Sequence, residues 1–391
     1  MSHPELRFAA RSLPLAEVTA DLERDWQALV ERSVEGNCFL APWFVRPAAR
    51  WLDPGRPWRL LLVEAFESGR RIALTGLMVL GVEAPLGSLP MRHLVAYRPV
   101  HAYSSGALVD ARFVSQSLRA LLAALPDVVP DCGALRLGNF RCDGALGIAA
   151  APLLAEAGLR WFVTREGWRA ALQLAAAGGA DPRSVHPGAP GGLPMPMPTR
   201  KPLRRALLRL ESMVGPVSFR VLRDAAVDPD AIERHLALEH AGWKGPAGES
   251  LLARPKHAAF FRDVVRGAAA AGGVLFCELL SQDSVLASTS NFLAGREAFA
   301  FKVGWQPRLA RGSPGLLIDA ALRGHAPDVL AGLRTLDSCA DPGSHLDRIW
   351  PHRLRVVDGY LAWGRRERTT LTALATVRRW RDGARGLIRS A

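Results

Sequence analysis

The residues best suited to chemistry lie near position 310, where two arginines precede the start of a predicted helix. Ser313 followed by Pro314 fits a helix N-cap with proline in the first helical position. Open amides at a helix start attract anions, and guanidinium groups bind phosphate. We therefore expect a site for a diphosphate-bearing ligand such as coenzyme A, formed by Arg308, Arg311, Gly312, Ser313, Gly315 and Leu316. The alternative is a surface connection whose glycines only make the turn.

A strand, a loop, a helix and a second strand must position these residues. Phe299, Phe301 and Val303 alternate with smaller or polar residues, which predicts a half-buried strand. Residues 305–315 are rich in proline and glycine and predict a loop. The helix that follows is expected to end at Gly324. A second strand is predicted to close with Asp337, which completes a βαβ unit.

Three segments of the sequence resemble CelD-type acyltransferases, which are associated with cellulose and exopolysaccharide biosynthesis. That family belongs to the GNAT superfamily and is related to the FemABX aminoacyl transferases. The matching segments are Phe301 through Ser313-Pro314-Gly315-Leu316-Leu317 to Asp337-Ser338-Cys339-Ala340 and Trp350, then Leu238-Glu239-x-x-x-Trp243-Lys244-Gly245, and Trp26-x-x-Leu29 with Phe39, Pro42 and Trp43. One departure is the phosphate loop, in which Arg308 precedes Gly312 by four residues where the superfamily has three.

The resemblance implies an α/β fold with two tandem GNAT-like domains, each a mixed, mostly antiparallel sheet flanked by helices. The expected boundaries are an N-terminal domain at 1–177, a Pro/Gly-rich linker at 178–202, an acyltransferase domain at 203–364 and a basic C-terminal helix at 365–391. The first domain has no phosphate loop comparable to residues 308–315. It is expected to help shape the acceptor pocket.

The resemblance also implies how an acyl group would be transferred. Backbone amides between Phe301 and Gly304 would hold the thioester carbonyl where two central strands separate. Asp337 would orient or deprotonate the amine, or would instead be a structural carboxylate satisfied by the helix start or by Arg308. Lys302, expected on the polar face of its strand, would bind an anionic acceptor, and Tyr360 would protonate the leaving thiolate. The expected substrate-binding residues are Trp243, Lys244, Trp305 and Tyr103.

Three functions remain open from the sequence. The first is transfer from acetyl-CoA or another acyl-CoA to an amine of a small acceptor such as an amino sugar or polysaccharide precursor. The second keeps the fold but uses aminoacyl-tRNA as donor, as FemABX proteins do. The third is a non-catalytic, GNAT-derived binding protein. No metal is expected, because the five cysteines are scattered and form no CxxC pair.

Charge and composition bear on partners and location. The formal net charge is +13, and only four of the 50 basic residues are lysine, which is typical of a GC-rich coding bias. No zinc-finger, basic-zipper or RNP pattern is present, which argues against dedicated nucleic-acid binding. The basic tail after Arg365 is a candidate for contact with an anionic partner or membrane surface. The first residues do not show the pattern of an export signal, and the sequence has no apolar stretch of the length that a membrane helix needs. We therefore expect a cytoplasmic protein.

Overall fold

The computed structural model describes residues 6–83, 91–174, 193–195, 200–242 and 244–376, which divide into two compact units. The first unit draws on residues 1–35, 55–167 and 355–391, and the second on 36–54 and 168–354. These units are discontinuous in sequence because the segment 36–54 belongs to the second unit and the chain end to the first. The division at 177, 202 and 364 therefore stays a prediction, and most of its linker lies outside the described residues.

The first unit is a mixed sheet with helices against it. Its strands are β1 (Leu6–Pro14), β2 (Arg59–Glu67), β3 (Arg70–Glu83), β4 (His93–Ala96), β5 (Leu108–Val109), β6 (Ala134–Arg141), the start of β7 (Arg160–Gln173) and most of β14 (His352–Ala362). Its helices are α1 (Ala20–Arg32), α3 (Val114–Val128) and α4 (Ala145–Glu156), and residues 365–376 are also helical. The strand order is β1-β2-β3-β4-β6-β14-β7, with β5 beside β3. Only the β4–β6 pair among its registered pairs is parallel.

The second unit has the same kind of architecture. Its helices are α2 (Pro42–Trp51), α5 (Lys201–Val214), α6 (Pro229–Ala241), α7 (Pro255–Ala270) and α8 (Pro314–Val329). Its strands are the end of β7, β8 (Leu193–Pro194), β9 (Ser218–Arg223), β10 (Val274–Ser281), β11 (Ser284–Ala294), β12 (Glu297–Trp305) and β13 (Thr335–Asp337). The order is β7-β13-β12-β11-β10-β9-β8, and β12–β13 is the parallel pair. The predicted fold class, two α/β units with mixed, mostly antiparallel sheets, is confirmed.

Sequence features explain several of these elements. The Thr19 side chain accepts the Leu22 amide at the start of α1, and Asp228 accepts the Ala231 amide at the start of α6, 2.8 Å away. In α1 the spacing of Leu22, Trp26 and Leu29 places all three in the core. Short turns at 67–70 and 281–284 each separate two strand-like runs and predict hairpins, and β2–β3 and β10–β11 form them.

Three local predictions are wrong. Gly324 does not end α8, because Leu322, Ala326 and Val329 continue its buried face to Val329. The loop predicted after Trp305 contains a 3₁₀ helix at Pro307–Gly312. Within the turn-rich stretch 87–107, residues His93–Ala96 form the fully buried strand β4.

Two kinds of feature, membrane-spanning helices and metal-binding clusters, are absent from the described residues. None of the helices there is both long enough and apolar enough to span a membrane. In the same part of the chain, no cluster of three or more His, Cys, Asp or Glu side chains is placed to hold a metal ion.

Candidate active site

The central parallel strands of the second unit separate partway along their length. β12 and β13 are in register from Glu297↔Thr335 to Phe299↔Asp337, where β13 ends. β12 continues to Trp305, paired only with β11 in the register of the described strands. A strand that loses its neighbour presents main-chain amides and carbonyls to whatever enters the gap. The predicted separation at residues 301–304 therefore coincides with the end of the β12–β13 ladder.

A β-bulge at Phe301 changes which side chains share a face of β12. Ala300 pairs with Asn291, and the next pair is Lys302 with Ser290, so Phe301 is the extra residue. The Phe301 ring stacks on Phe261 at 5.9 Å, and the Lys302 ammonium lies 5.4 Å from the centre of the Phe301 ring. Simple alternation, which would have put Phe301 and Lys302 on opposite faces, is therefore wrong at this position.

Two lysines and a glutamate meet where α6 crosses the end of β12. Gly304 permits the crossing, because a Cβ there would lie 2.3 Å from the Glu239 nitrogen. The Glu239 side chain is fully buried, and Lys244 Nζ lies 3.5 Å from its Oε1. Its Oε2 accepts the Leu251 amide at 2.8 Å. The glycine and proline after Lys244 predict a tight, exposed turn, but the Lys244 side chain is a partly buried ion-pair partner.

The electrostatics of this cluster disfavour positive charge. Burial lowers the pKa of Lys302, opposed by the Glu239 carboxylate. Burial also lowers the pKa of Lys244, again opposed mainly by Glu239. The cluster therefore holds lysines that lose their protons more readily than exposed ones.

His235 lies next to the two lysines and is held neutral. Its Nδ1 is 2.9 Å from Ser288 Oγ, and its Nε2 is 3.1 Å from Ser290 Oγ. Burial, with Lys244 and Lys302 adding to it, lowers the pKa of His235 to about 3. A neutral, fully hydrogen-bonded imidazole of this kind stabilises the polar cluster without carrying charge.

The start of α8 has no side-chain cap. Ser313 is the N-cap, with φ of 50°, but its side chain caps no amide. Its carbonyl accepts the Leu316 and Leu317 amides at 3.0 and 3.1 Å. Pro314 has no N–H to satisfy. The position of Ser313 and Pro314 is as predicted, whereas no amide of the first turn donates an N-cap hydrogen bond to the serine hydroxyl.

The two glycines of this region have packing roles. A Cβ at Gly312 would lie 2.9 Å from the Leu210 Cβ of α5, and one at Gly315 would lie 2.8 Å from the Trp305 ring. Trp305 therefore packs against the first turn of α8. Leu316 is partly buried and packs against the hydrophobic core of the second unit. Arg308 and Arg311 are exposed, and Arg308 Nε donates to Gln306 at 2.8 Å.

Asp337 is held by a buried partner. Its carboxylate forms an ion pair with Arg169, and its Oδ1 accepts the Cys339 amide at 2.9 Å. Burial acts to lower the pKa of Arg169, but the charge and hydrogen bond of Asp337, together with Cys339 and Asp341, outweigh burial and raise that pKa. The expected structural partners of Asp337 were the helix start or Arg308. The structure instead uses an arginine from β7.

Other predicted site residues lie elsewhere. Tyr360 packs in an apolar cluster of the first unit with Phe162 and Leu371, and Tyr103 also belongs to that unit. Their roles as thiolate acid and substrate contact stay predictions. Trp243 lies outside the described residues.

The first unit also has a parallel strand pair that separates, β4 and β6, but there Ser105 bonds to β6 beyond the end of the pair. Its parallel pair ends at Val95↔Arg136, and β6 continues to Arg141. Beyond that point Ser105 bonds to Gly138 with both its amide and its hydroxyl, at 3.1 and 2.8 Å to the carbonyl. The Gly138 amide donates back to Ser105 Oγ at 2.9 Å. Among the described residues, the bonds between Ser105 and Gly138 therefore occupy β6 at a place where β12 of the second unit has no partner strand on that side.

Sequence reasoning missed Arg169, His235 and the role of Glu239. Arg169 precedes the apolar run Ala170-Ala171-Leu172, and an arginine beside a buried strand is a signal of an internal partner. His235 faces the core from a helix whose other buried residues are mostly apolar. Glu239 stands in the matched motif but was given no function, because sequence spacing does not show which strand it covers.

Comparisons with known proteins bear on one segment of the chain and on its fold. Residues 198–344 match the family model described as Acetyltransferase (GNAT) domain. FemX resembles the chain with a TM-score of 0.53 at 12% identity, covering 90% of this chain and 97% of that one. An Agrobacterium fabrum chain, named as the C-terminal domain of a lysylphosphatidylglycerol synthetase, gives 0.51 at 12%, covering 92% and 96%. No curated protein matches at a significant level. At these identities the two structures show the fold alone.

Proposed function

We propose that the chain is an N-acyltransferase that moves an acyl group from acyl-CoA, most simply acetyl-CoA, to an amine of a small acceptor such as an amino sugar or polysaccharide precursor. One observation carries the proposal. The stretch of β12 beyond Phe299, which has left β13, leads through the 3₁₀ helix Pro307–Gly312 into the α8 start, whose amides no side chain caps. This path lies within the segment that matches the GNAT acetyltransferase domain.

The donor's diphosphate would be held at the α8 start. Arg308 and Arg311 are exposed beside it and supply positive charge, and Gly315 would supply the amide of the first turn. The Ser313 and Leu316 amides donate to the Ala310 and Ser313 carbonyls at 3.0 Å each, so these residues would shape the site. Gly312 contributes by letting the 3₁₀ helix pack against Leu210. The pantetheine arm would then follow β12, so that amides of residues 301–304 polarise the thioester carbonyl.

The acceptor would approach from the α6 face, where the lysines and Glu239 lie. Lys302 would bind an anionic group of the acceptor, with Trp305 and Lys244 bordering the site. Glu239, fully buried and paired with Lys244, would hold that lysine beside the site, and the attacking amine would lose its proton to solvent. The C–N bond forms, the C–S bond breaks, and the thiolate leaves to take a proton from solvent. Asp337 would act by fixing Arg169 and β13, since its carboxylate is already paired.

Isothermal titration of the full chain with acetyl-CoA tests the donor. We expect saturable binding in the micromolar range, weakened by about tenfold or more when Arg308 and Arg311 are both replaced by alanine. An Arg7→Ala/Arg70→Ala variant removes two exposed arginines of the first unit and should bind like the wild type.

A second candidate keeps the site but takes the acyl group from aminoacyl-tRNA. The observation that favours it is the 3₁₀ helix in place of a short phosphate loop, with exposed arginines on it. Binding of aminoacyl-tRNA with a steep salt dependence, and none of acetyl-CoA, would select it. If neither donor binds, the chain is a non-catalytic binding protein.

A further inference from the structure

Five exposed arginines form a surface beside the α8 start in the second unit. Three of them, Arg204, Arg205 and Arg209, lie on α5, and two, Arg308 and Arg311, lie on the 3₁₀ helix Pro307–Gly312. We call this group the arginine surface. Its two parts are in direct contact, because Arg209 Nη1 donates to the Arg311 carbonyl at 3.0 Å.

The helical spacing points these side chains the same way. Arg205 and Arg209 are four residues apart on α5, so they are neighbours on one helix face. Arg308 and Arg311 are three apart on a 3₁₀ helix, where side chains at that spacing eclipse. Leu210, one residue after Arg209, packs against Gly312 and fixes the 3₁₀ helix to α5.

The charge of the arginine surface is not used inside the protein. Elsewhere in the same unit, arginines pair with acids, as Arg220 and Arg234 do with Glu278. Arg262 likewise pairs with Glu233 at 2.6 Å. None of the five members of the arginine surface forms an ion pair with a carboxylate in the described part of the chain. Five unneutralised charges on one face attract a polyanion, since a field of one sign steers opposite charge.

Exposed apolar side chains among the arginines favour an acidic protein over a nucleic acid as the polyanion. Leu208 is 53% exposed and Met213 is 43% exposed, both on the face of α5 that carries the arginines. A nucleic-acid backbone gains little from isolated aliphatic side chains, whereas methionine and arginine together are enriched at protein interfaces. The face therefore suits an acidic protein helix with apolar residues among its carboxylates.

We propose that the arginine surface docks an acidic acyl carrier protein, which presents the acyl thioester on a phosphopantetheine arm at the α8 start. This inference rests on the proposed function and adds a carrier-bound form of its acyl donor. The arm carries a phosphate and the same thioester as acyl-CoA, so the chemistry in the site is unchanged. What differs is the protein attached to the phosphate, which α5 would contact through Arg204, Arg205 and Leu208.

The test compares acetyl-loaded acyl carrier protein with acetyl-CoA by isothermal titration into the full chain. The variants are Arg204→Glu/Arg205→Glu and Leu208→Ala, and the charge-matched control is Arg7→Glu/Arg70→Glu. We expect the wild type to bind the carrier protein, more weakly as salt rises. The Arg204→Glu/Arg205→Glu variant should lose about tenfold or more of that affinity, and Leu208→Ala a smaller part, with acetyl-CoA binding unchanged in both.

The outcomes separate this inference from the proposed function. Equal carrier affinity in the wild type and the Arg204→Glu/Arg205→Glu variant, or no carrier binding beside intact acetyl-CoA binding, overturns the docking proposal alone. Binding of tRNA that the same variant abolishes, with no binding of the carrier, assigns the surface to RNA and also overturns it. Failure to bind either acetylated donor removes the proposed function with it.

Discussion

The guanidinium of Arg169 and the carboxylate of Asp337 form an ion pair inside the second unit, with side chains 3% and 6% exposed. Asp337 is the last residue of β13, at the last pair before β12 and β13 separate. The pair therefore fixes the point where the gap opens. From this position Asp337 can influence the candidate site by holding the end of β13, without contacting a substrate.

Asp337→Asn should destabilise the protein more than it alters chemistry. The substitution leaves the Arg169 charge buried without its counter-ion, which costs about 3–5 kcal/mol of unfolding free energy. Urea denaturation measures this loss, and Asp328→Asn on the exposed face of α8 is the matched control. A fully stable Asp337→Asn protein that has lost only acyl transfer would instead make Asp337 the base.

The stability of the protein should fall in acid because of His235. Its pKa is about 3 in the folded state against 6.5 for the free side chain, so below pH 6.5 the unfolded chain binds a proton that the folded one refuses. Stability should therefore decline as the pH falls from 6.5 towards 3, by up to about 1.4 kcal/mol per pH unit.

The variant His235→Asn should lose that part of the slope. Ser290→Ala removes a hydrogen bond to the ring but keeps the titrating group, so its slope should match that of the wild type. Urea unfolding at a series of pH values measures all three proteins. An unchanged slope in His235→Asn would show that His235 does not titrate in this range.

Gly304→Ala should separate α6 from β12. The new Cβ would meet backbone atoms, at 2.3 Å from the Glu239 nitrogen and 2.5 Å from the Leu238 carbonyl carbon, so no side chain can rotate to make room. Overpacking of this kind costs about 1–3 kcal/mol or more. Gly242→Ala, at a position with nothing within 4 Å, should be close to neutral in the same thermal or urea unfolding experiment. Equal stability of the two variants would refute the close crossing.

Labelling of the chain's four lysine amines over a pH series tests the buried lysine cluster. Burial lowers the pKa of Lys244 and of Lys302, so each should lose its proton at lower pH in the folded protein than in the urea-unfolded one. Lys201 and Lys256 are exposed and serve as internal references. Labelling with acetic anhydride over a pH series, read by mass spectrometry, gives the four curves. Identical folded and unfolded curves for Lys302 would contradict the buried cluster.

Periodicity and capping predicted most helices and hairpins, and resemblance predicted the paired architecture. Local patterns failed where tertiary packing decides. The low helix propensity of glycine predicts that α8 ends at Gly324. Burial of Leu322 and Ala326 stabilises the helix enough for it to continue to Val329. Strand β4 was missed because turn-forming residues surround four buried ones.

The candidate site was predicted in outline only. The segment from Phe301 to Leu316 is contiguous, so the sequence locates it. Arg169 is 168 residues from Asp337. The residue pattern at 158–163 predicts a strand that ends at Val163, and mostly polar residues follow it, so the strand's continuation to Arg169 is not predicted. Such long-range pairs, and a bulge that shifts alternation by one residue at Phe301, depend on the register between strands, which one strand's sequence does not specify.

Amide hydrogen exchange of the full chain, with and without saturating acetyl-CoA, tests most directly whether the α8 start and the free stretch of β12 hold the donor. We predict slower exchange on binding in peptides that cover residues 300–305 and 313–317, with no comparable change in residues 104–109 of the first unit. Binding that leaves 300–305 and 313–317 unprotected, or that protects only the first unit, would contradict the account.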